Sequence, residues 1–548
     1  MTDLAPSLAA AARRLGLARA ELTGYGAWAA KISTAARARP RLRPDPARLI
    51  LVSAITPTAA GEGKTTTTIG LADALTRLGE IACAALREPS LGPALGLKGG
   101  GTGGGAAQLV PADRINLHFT GDLHAITSAH NLLAAMLDNH LHFGNPLGID
   151  PRRVLWRRVV DLNDRALREV VVGLGGPGPP APRETGFDIT AASEVMAMLC
   201  LAADVDDLRA RLDRTLVAFT HDGAPVIARQ LQATGAMLAL LRDALEPNLV
   251  RTLEGTPAFV HGGPFANIAH GCSSVIATRT ALHLADWVVT EAGFGFDLGG
   301  EKFFDIKCAG AGLTPAAVVL VATVRALKLH GGAVPADLAR PDPVAVAAGL
   351  ANLDKQLENI REFGPVAIVA LNRHATDTEA EIAIVQARCT QLGVPFAVSD
   401  HFVTGGAGAE DLARLVIAHA ERDGVPFRPL YAWGDAVETK IRTVAQRMYG
   451  ARDVVLEPAA RRDLDDVERL GYAGLPVCMA RIPTSLSDDP RRLGRPRDFD
   501  LRVRRVQIQA GAGFLVVLTG DIVRMPGLPK HPIAEAVDLH GDTIVGMK

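Results

Sequence analysis

A glycine- and threonine-rich turn between an apolar run and a helical pattern constrains this chain more than any other feature. Residues 48–54 read RLILVSA, residues 58–65 read TAAGEGKT, and an apolar helical period follows from Ile69 to Leu78. A strand, a loop and a helix in this order surround an anion with backbone N–H groups and a helix N-terminus. The segment therefore predicts a phosphate-binding loop, with Thr58 standing where the strict pattern has glycine.

The residue types in this loop suit the binding of a nucleotide. Gly61 and Gly63 allow backbone N–H groups to turn toward one anion. Lys64 reaches the terminal phosphates, and the Thr65 hydroxyl holds Mg²⁺ through the nucleotide. The predicted nucleotide-binding set is Thr58, Ala59, Ala60, Gly61, Glu62, Gly63, Lys64 and Thr65. The alternative is a glycine-rich turn with a solvent-facing lysine.

Short apolar runs alternate with longer helical stretches along most of the chain. The runs at residues 257–260, 287–290 and 366–371 are examples. This alternation predicts an α/β fold in which a P-loop-containing, mostly parallel sheet is flanked by helices, with additional smaller α/β domains.

The length of 548 residues exceeds what one hydrophobic core usually supports, so several domains are expected. Polar stretches near 331–343 and 424–429 predict domains at 1–330, 331–425 and 426–548. The Gly- and Pro-rich residues 173–183 predict a loop.

Charge and composition exclude several classes of protein. The 58 Lys+Arg and 59 Asp+Glu nearly cancel, so no global field favours nucleic acid or a membrane surface. The most apolar window, residues 316–327, is too short to cross a membrane. The six cysteines contain no CxxC pair and the N-terminal residues do not resemble a secretory signal. We expect a cytoplasmic protein that binds neither nucleic acid nor a membrane.

A second candidate segment follows the apolar run at residues 81–86. Arg87 comes where the carboxyl end of a strand opens onto a nucleotide crevice, and its guanidinium suits a phosphate or a carboxylate. The glycine run at residues 99–105 is more flexible than a helix or central strand tolerates, which is typical of a ligand-contacting loop. The alternative for Arg87 is a surface ion pair with Glu88.

Residues 116–142 contain Asp122 and five histidines. Asp122 follows a glycine, where a carboxylate can hydrogen-bond a heterocycle or orient an amine nucleophile. Its alternative role is to cap the following helix. The histidines lack the HExxH spacing. They could bind a metal, or they could be polar residues near a substrate cleft, and the sequence allows both roles.

Several ordered segments resemble the formate–tetrahydrofolate ligase family. Besides TAAGEGKTTTT and LREPSLGP, they include FDITAASEVMAMLCLA (187–202), the block at 248–278, EAGFGFDLGGEKFFDIKC (291–308) and LTGDIVRMPGLPK (518–530). The resemblance runs through nearly the whole chain. It implies a ligase that uses Mg-ATP, formate and tetrahydrofolate to give 10-formyltetrahydrofolate, ADP and phosphate through formyl phosphate.

The resemblance also implies roles for particular residues. Lys64 and Thr65 match the nucleotide loop of the family, and Arg87 matches the arginine associated with formyl phosphate. Glu88 and Asp122 match positions near the reacting centre. The resemblance further implies a homotetramer, activation by a monovalent cation such as potassium, and a folate site in residues 331–425.

Two departures from the family concern the folate site. Aromatic side chains sandwich the pterin in the family, whereas this chain has His374 after an Asn-Arg pair and Phe402 in the segment Ser-Asp-His-Phe. Phe402 still offers a stacking face, and His374 is a smaller platform. Residues 479–485 also differ from the family sequence.

Two other functions are compatible with the sequence. One is a protein of the same fold that binds nucleotide or folate without formylating it. The other is a P-loop enzyme that activates a carboxylate for a different amine acceptor.

Overall fold

The computed structural model describes residues 4–43, 45–59, 61–97, 100–174, 182–265, 268, 270, 271, 273–420, 427–520 and 522–547. Ala60, Gly99, most of the predicted 173–183 loop and the predicted boundary at 425 lie outside these residues.

The strands, in chain order, are β1 (Leu22–Tyr25), β2 (Ala29–Ile32), β3 (Arg48–Ala54), β4 (Ala82–Leu86), β5 (Gly103–Gly104), β6 (Ala107–Val110), β7 (Ile149–Val154), β8 (Arg158–Val160), β9 (Val170–Val172), β10 (Arg183–Thr185), β11 (Phe187–Ile189), β12 (Leu216–Thr220), β13 (Pro225–Ile227), β14 (Asn248–Thr252), β15 (Pro257–Val260), β16 (Trp287–Glu291), β17 (Pro315–Ala322), β18 (Val366–Asn372), β19 (Phe396–Ser399), β20 (Asp453–Leu456), β21 (Val477–Ala480), β22 (Asp500–Val503), β23 (Arg505–Gln509), β24 (Phe514–Leu518), β25 (Asp538–His540) and β26 (Thr543–Val545).

The α-helices are α1 (Pro6–Arg14), α2 (Ala35–Ala38), α3 (Lys64–Arg77), α4 (Leu91–Leu95), α5 (Ala112–Asn116), α6 (Asp122–His142), α7 (Glu194–Leu201), α8 (Val205–Asp213), α9 (Thr234–Leu241), α10 (Val275–Leu284), α11 (Ala309–Ala311), α12 (Val324–His330), α13 (Pro343–Phe363), α14 (Glu379–Leu392), α15 (His401–Thr404), α16 (Glu410–Ala420), α17 (Val437–Val444) and α18 (Pro458–Arg469).

One large sheet organises the molecule, in the order β1-β2-β14-β15-β4-β16-β3-β17-β18-β19, with β5 and β6 attached beside β14. Neighbouring strands from β15 to β19 in this order are all parallel. Strands β1, β2 and β14 pair antiparallel at one side. The predicted α/β fold with a mostly parallel sheet is therefore confirmed.

Both faces of the parallel sheet are covered, as its near-continuous apolar strands require. Successive side chains of a strand point to opposite faces. Leu49 and Leu51 of β3 pack on one face with α13, and Ile50 and Val52 pack on the other face with α3. The core thus fixes the position of the loop that connects β3 with α3.

The helix after the loop begins earlier than its apolar period predicts. Helix α3 starts at Lys64, whereas the apolar pattern starts at Ile69. The first turn is built from threonines, and the hydroxyls of Thr67 and Thr68 donate to the carbonyls of Gly63 and Lys64. The first turn is therefore stabilised by local hydrogen bonds that an apolar pattern does not reveal.

Part of the glycine run forms a strand, which corrects the expectation that it is loop throughout. Gly103 and Gly104 form β5 and pair antiparallel with β6. A Cβ atom at Gly103 would lie 2.4 Å from the carbonyl oxygen of Ala107. This pairing therefore depends on the absence of a side chain at Gly103.

The remaining elements pack around the large sheet. Helices α6 to α9 form a second core with β7, β12 and β13. Strands β20 to β24 form two small sheets near the C-terminus, and Val477 and Leu515 belong to the same hydrophobic core as β3. Among the described helices, none is both long and apolar enough to cross a membrane.

Strands on both sides of residue 330 belong to the large sheet, since β17 lies between β3 and β18. The division into domains at 1–330, 331–425 and 426–548 remains a prediction.

Candidate active site

The polar side chains singled out by sequence converge on one edge of the parallel sheet. Strands β4, β16, β3, β17, β18 and β19 all point their carboxyl ends to this edge. Neighbouring strands are about 4.8 Å apart, so the loops that follow them lie in one row. A crevice beyond the carboxyl ends of strands is where open α/β sheets bind their ligands.

The loop between β3 and α3 has the backbone that an anion site requires. Gly61 and Gly63 have φ values of 78° and 77°, in the region that favours glycine. A Cβ atom at Gly63 would lie 2.8 Å from Nδ2 of Asn372 and 2.9 Å from Oγ1 of Thr66. Gly63 precedes α3 directly, and Lys64 and Thr65 are the first two helical residues. The N-terminus of α3 therefore opens onto the loop.

Glu62 holds the loop together from inside. Its side chain is 2% exposed; Oε1 accepts from the backbone N–H of Thr58 at 2.7 Å, and Oε2 accepts from the hydroxyl of Thr323 after β17. The backbone carbonyl of Glu62 accepts from Nδ2 of Asn372 at 2.8 Å. The Glu62 carboxylate thus shapes the loop from within, and direct contact of this side chain with a nucleotide stays a prediction.

A buried carboxylate lies beside Thr65 and was missed by sequence reasoning. The hydroxyl of Thr65 lies 3.1 and 3.0 Å from Oε1 and Oε2 of Glu291. Glu291 is the last residue of β16, directly beside β3, and is 4% exposed. The signal in the sequence is a single charged residue that ends an apolar run. Hydroxyl and carboxylate oxygens are the donors that Mg²⁺ prefers, so this pair fits the metal of a bound Mg-nucleotide.

Arg87 and Glu88 follow β4 at the same edge. Arg87 is half-buried, and it forms no ion pair with Glu88 within the described part of the chain. Glu88 is 4% exposed, and its backbone N–H donates to the carbonyl of Gly262 at 2.6 Å. Burial raises the pKa of Glu88 well above its usual value, and the nearby Asp122 carboxylate adds to this while Lys31 opposes it. The surface ion pair that was the alternative for Arg87 is therefore wrong.

Asp122 is held by a buried cation. Nζ of Lys31 lies 2.7 and 2.9 Å from the two carboxylate oxygens, and Nδ2 of Asn248 donates to Oδ2 at 2.8 Å. The side chains of Lys31 and Asp122 are 1% and 3% exposed. Asp122 is the first residue of α6 and does not cap it, since Gly121 precedes the helix. Lys31, a lone cation inside the apolar strand β2, is a second residue that sequence reasoning missed.

The two candidate folate residues lie at the far end of the same edge. His374 follows β18 and is exposed; its backbone N–H donates to Oδ2 of Asp377 at 2.8 Å. Phe402 follows β19 and is 54% exposed. A Cβ atom at Gly104 would lie 3.3 Å from Cε2 of Phe402, so the glycine run passes along the phenyl ring. Both side chains are accessible to a ligand.

The histidines of residues 116–142 do not gather around a metal. His130 is buried and stacks on Trp156 with ring centroids 4.0 Å apart, while His118, His124 and His142 are exposed. Within the described ranges, no three His, Cys, Asp or Glu side chains are arranged to hold a metal ion. The structure thus favours the interpretation of these histidines as separate polar residues.

Together these features define an α/β protein with a candidate nucleotide-phosphate site at the carboxyl edge of a parallel sheet. The sequence model of the family described as formate–tetrahydrofolate ligase matches residues 3–548. A formate–tetrahydrofolate ligase of Paracoccus denitrificans (strain Pd 1222) is 57% identical over 535 residues, covering 98% of this chain and 96% of the relative. The chain belongs to the formate–tetrahydrofolate ligase family. The predicted family and the predicted class of enzyme, a ligase, are confirmed.

Proposed function

We propose that this chain ligates formate to tetrahydrofolate at the expense of ATP, giving 10-formyltetrahydrofolate, ADP and phosphate through formyl phosphate. The proposal rests on the side chains that line the carboxyl edge of the parallel strands. Arg87 lies on one side of the loop that begins α3, and the exposed His374 and Phe402 lie on the other. The match of the family over nearly the whole chain supports the same reaction.

In the first step, an oxygen of formate attacks the γ-phosphorus of ATP. The new bond joins formate oxygen to phosphorus, and the bond from the γ-phosphorus to the bridging oxygen of ADP breaks. Two unit negative charges about 4 Å apart repel by roughly 4 kcal/mol at an effective dielectric constant near 20. Lys64 and Arg87 offset this repulsion. Thr65 and Glu291 supply oxygen donors for Mg²⁺, which neutralises phosphate charge when it is bound.

The uncharged form of Glu88 suits this step. A charged Glu88 carboxylate at this edge would repel formate. Because the pKa of Glu88 is raised by burial and by Asp122, the side chain is protonated more readily and adds less negative charge to the site. The ion pair with Lys31 holds Asp122 in place, so Asp122 acts by positioning charge beside Glu88.

In the second step, the amine nitrogen of tetrahydrofolate attacks the formyl carbon. The carbon–nitrogen bond forms, the bond from carbon to the phosphate oxygen breaks, and inorganic phosphate leaves. The nitrogen then loses its proton. Phosphorylation makes this possible because formate by itself has no leaving group that an amine can expel.

The direct test uses purified protein with Mg-ATP, formate and tetrahydrofolate, followed by acid conversion of the product to its absorbing methenyl form. We expect absorbance only when all three substrates are present. Folate binding without turnover would favour the non-catalytic alternative. Formate-dependent ADP release that ignores tetrahydrofolate would favour a different amine acceptor.

We expect Phe402→Ala to raise the KM for tetrahydrofolate roughly 2- to 13-fold and to leave the KM for ATP unchanged. The reason is the loss of an aromatic stacking contact, worth about 0.5–1.5 kcal/mol. Steady-state kinetics at saturating ATP and formate measure it. Val344→Ala, at an exposed position on α13, is the control; an unchanged KM in Phe402→Ala would remove Phe402 from the folate site.

We expect Glu291→Gln to raise the Mg²⁺ concentration needed for half-maximal activity roughly tenfold or more, because a charged oxygen donor beside Thr65 is replaced by a neutral amide. A titration of Mg²⁺ at fixed ATP measures this shift. Glu438→Gln, which removes a carboxylate paired with Arg442 on α17, is the control. Equal Mg²⁺ curves for Glu291→Gln and the native protein would contradict the assignment.

Four further features belong to the proposal. The family resemblance supports a homotetramer, activation by a monovalent cation such as potassium, and a folate site in residues 331–425. The absence of CxxC pairs among the six cysteines supports a cytoplasmic location.

A further inference from the structure

Building on the proposed function, we propose that His401 is a positioning residue that joins the first turn of α3 to the segment carrying Phe402. One side chain would then support both the nucleotide site and the folate site. The reasons are the hydrogen bonds of its ring, the packing of its Cβ atom, and its place in the chain next to Phe402.

Both ring nitrogens of His401 contact hydroxyl groups. Nε2 lies 3.1 Å from Oγ1 of Thr66 and 3.5 Å from Oγ1 of Thr67, on the first turn of α3. Nδ1 lies 2.8 Å from Oγ of Ser399, the last residue of β19. The residue is 1% exposed, so water cannot readily replace these partners. The imidazole therefore connects the nucleotide-loop helix to the end of β19.

Close packing reinforces this connection. A Cβ atom at Gly70 would lie 2.6 Å from Cβ of His401, so α3 and α15 approach each other at a position without a side chain. The backbone carbonyl of the next residue, Phe402, accepts from the N–H of Ala106 at 2.9 Å. A shift of His401 would thus be transmitted in both directions, to Thr66 and to the phenyl ring of Phe402.

Asn372, at the end of the neighbouring strand β18, makes a second link between the candidate nucleotide site and the candidate folate site. Nδ2 of Asn372 donates to the carbonyl of Glu62 at 2.8 Å, and Oδ1 accepts from the hydroxyl of Thr67 at 3.1 Å. His374 follows two residues later. The two candidate folate residues therefore both lie within two residues of a side chain that hydrogen-bonds the nucleotide loop or its helix.

The expected consequence is a paired change in binding. His401→Leu should weaken both ADP and tetrahydrofolate binding roughly three- to tenfold, because hydrogen bonds that hold both sites are lost. The value of kcat should change less than twofold, since the ring does not contact the reacting atoms in this proposal. His401→Gln keeps a polar atom close to the position of Nε2 and should restore most of the ADP affinity.

The experiment measures the dissociation constants of ADP and of tetrahydrofolate by titration calorimetry, alongside kcat and both KM values. His130→Leu is the matched control, because it removes another buried histidine, hydrogen-bonded to the carbonyl of Arg157 at 2.9 Å. We expect the control to lower the melting temperature without changing either dissociation constant. Unchanged affinities in His401→Leu, or equal losses in His130→Leu, would overturn the proposal.

A double-mutant cycle tests the contact itself and also covers a His401→Leu variant that fails to fold. Thr66→Val and His401→Ala each remove one side of the contact and are measured singly and together; coupled residues give an effect on ADP affinity that is not the sum of the two. Additive effects would exclude the contact. If native protein binds both ligands but forms no product, the proposed function fails, while the binding measurements still decide the role of His401.

Discussion

Lys64→Ala is expected to lower kcat/KM for ATP-dependent formylation about 10³-fold. Lys64 begins α3 directly after the glycine loop, and in the proposed reaction its cation offsets the charge of the terminal phosphates. The repulsion it offsets is about 4 kcal/mol for two unit charges 4 Å apart at an effective dielectric constant near 20, which corresponds to about three powers of ten in rate. The fold should persist, because the side chain is not part of the hydrophobic core.

The acid-conversion assay and a thermal melt together measure this effect. Arg414→Ala is the control, since it removes an exposed cation on α16 and should keep full activity. A Lys64→Ala enzyme that retains activity within tenfold of the native protein, with an unchanged melt, would show that Lys64 does not act on the phosphates.

Lys31→Met is expected to lower the free energy of unfolding by about 3–5 kcal/mol. It leaves the buried carboxylate of Asp122 without its cation, and removing one partner of a buried ion pair is strongly destabilising. It also removes the charge that opposes the rise in the pKa of Glu88. Activity should fall with stability, because Asp122 and Glu88 then lie together without a neutralising group.

Urea unfolding followed by tryptophan fluorescence measures the loss. Adding Asp122→Leu to Lys31→Met should recover part of the stability, because the unpaired charge is removed as well. Arg340→Met is the control: its ion pair with Asp337 has side-chain exposures of 81% and 47%, and such an exposed pair contributes about 0–1 kcal/mol. A loss in Lys31→Met no larger than in this control would contradict the burial of the pair.

The segment at residues 479–485, which differs from the family sequence, now has a structural role. The guanidinium of Arg481 forms an ion pair with Asp297, and both side chains are fully buried. Asp297 also accepts from Gln356, whose amide nitrogen donates to Thr56 at 3.2 Å, two residues before the loop at residues 58–65. Arg481 in the C-terminal part of the chain is therefore linked, through Asp297 and Gln356, to a residue shortly before the loop at residues 58–65. These contacts join residues that are far apart in sequence.

The fold class and part of the candidate site could be predicted from short contiguous stretches of sequence. The loop at residues 58–65 and Arg87 were found because a strand, a turn and the following residues are contiguous in the chain, so the motif and its context appear together. Helix α3 begins five residues before its apolar period, since the threonines that form its first turn carry no apolar pattern.

The rest of the candidate site consists of side-chain contacts between residues that are far apart in sequence. Lys31 and Asp122 are separated by 91 residues, Thr65 and Glu291 by 226, and Thr67 and Asn372 by 305. Each of Lys31, Glu291 and Asn372 is a polar residue in or at the end of an apolar strand, which marks it as unusual but does not identify its partner.

The sequence by itself determined the class of fold, the glycine-rich loop between β3 and α3, and the family, because strand and helix periods and contiguous motifs are local properties. Only the tertiary structure decided which carboxylate lies beside Thr65, which cation pairs with Asp122, and that the His401 ring contacts Thr66 of α3. The reason is physical: strand order in the sheet sets which loops are neighbours, and burial at that edge sets which side chains must find a partner.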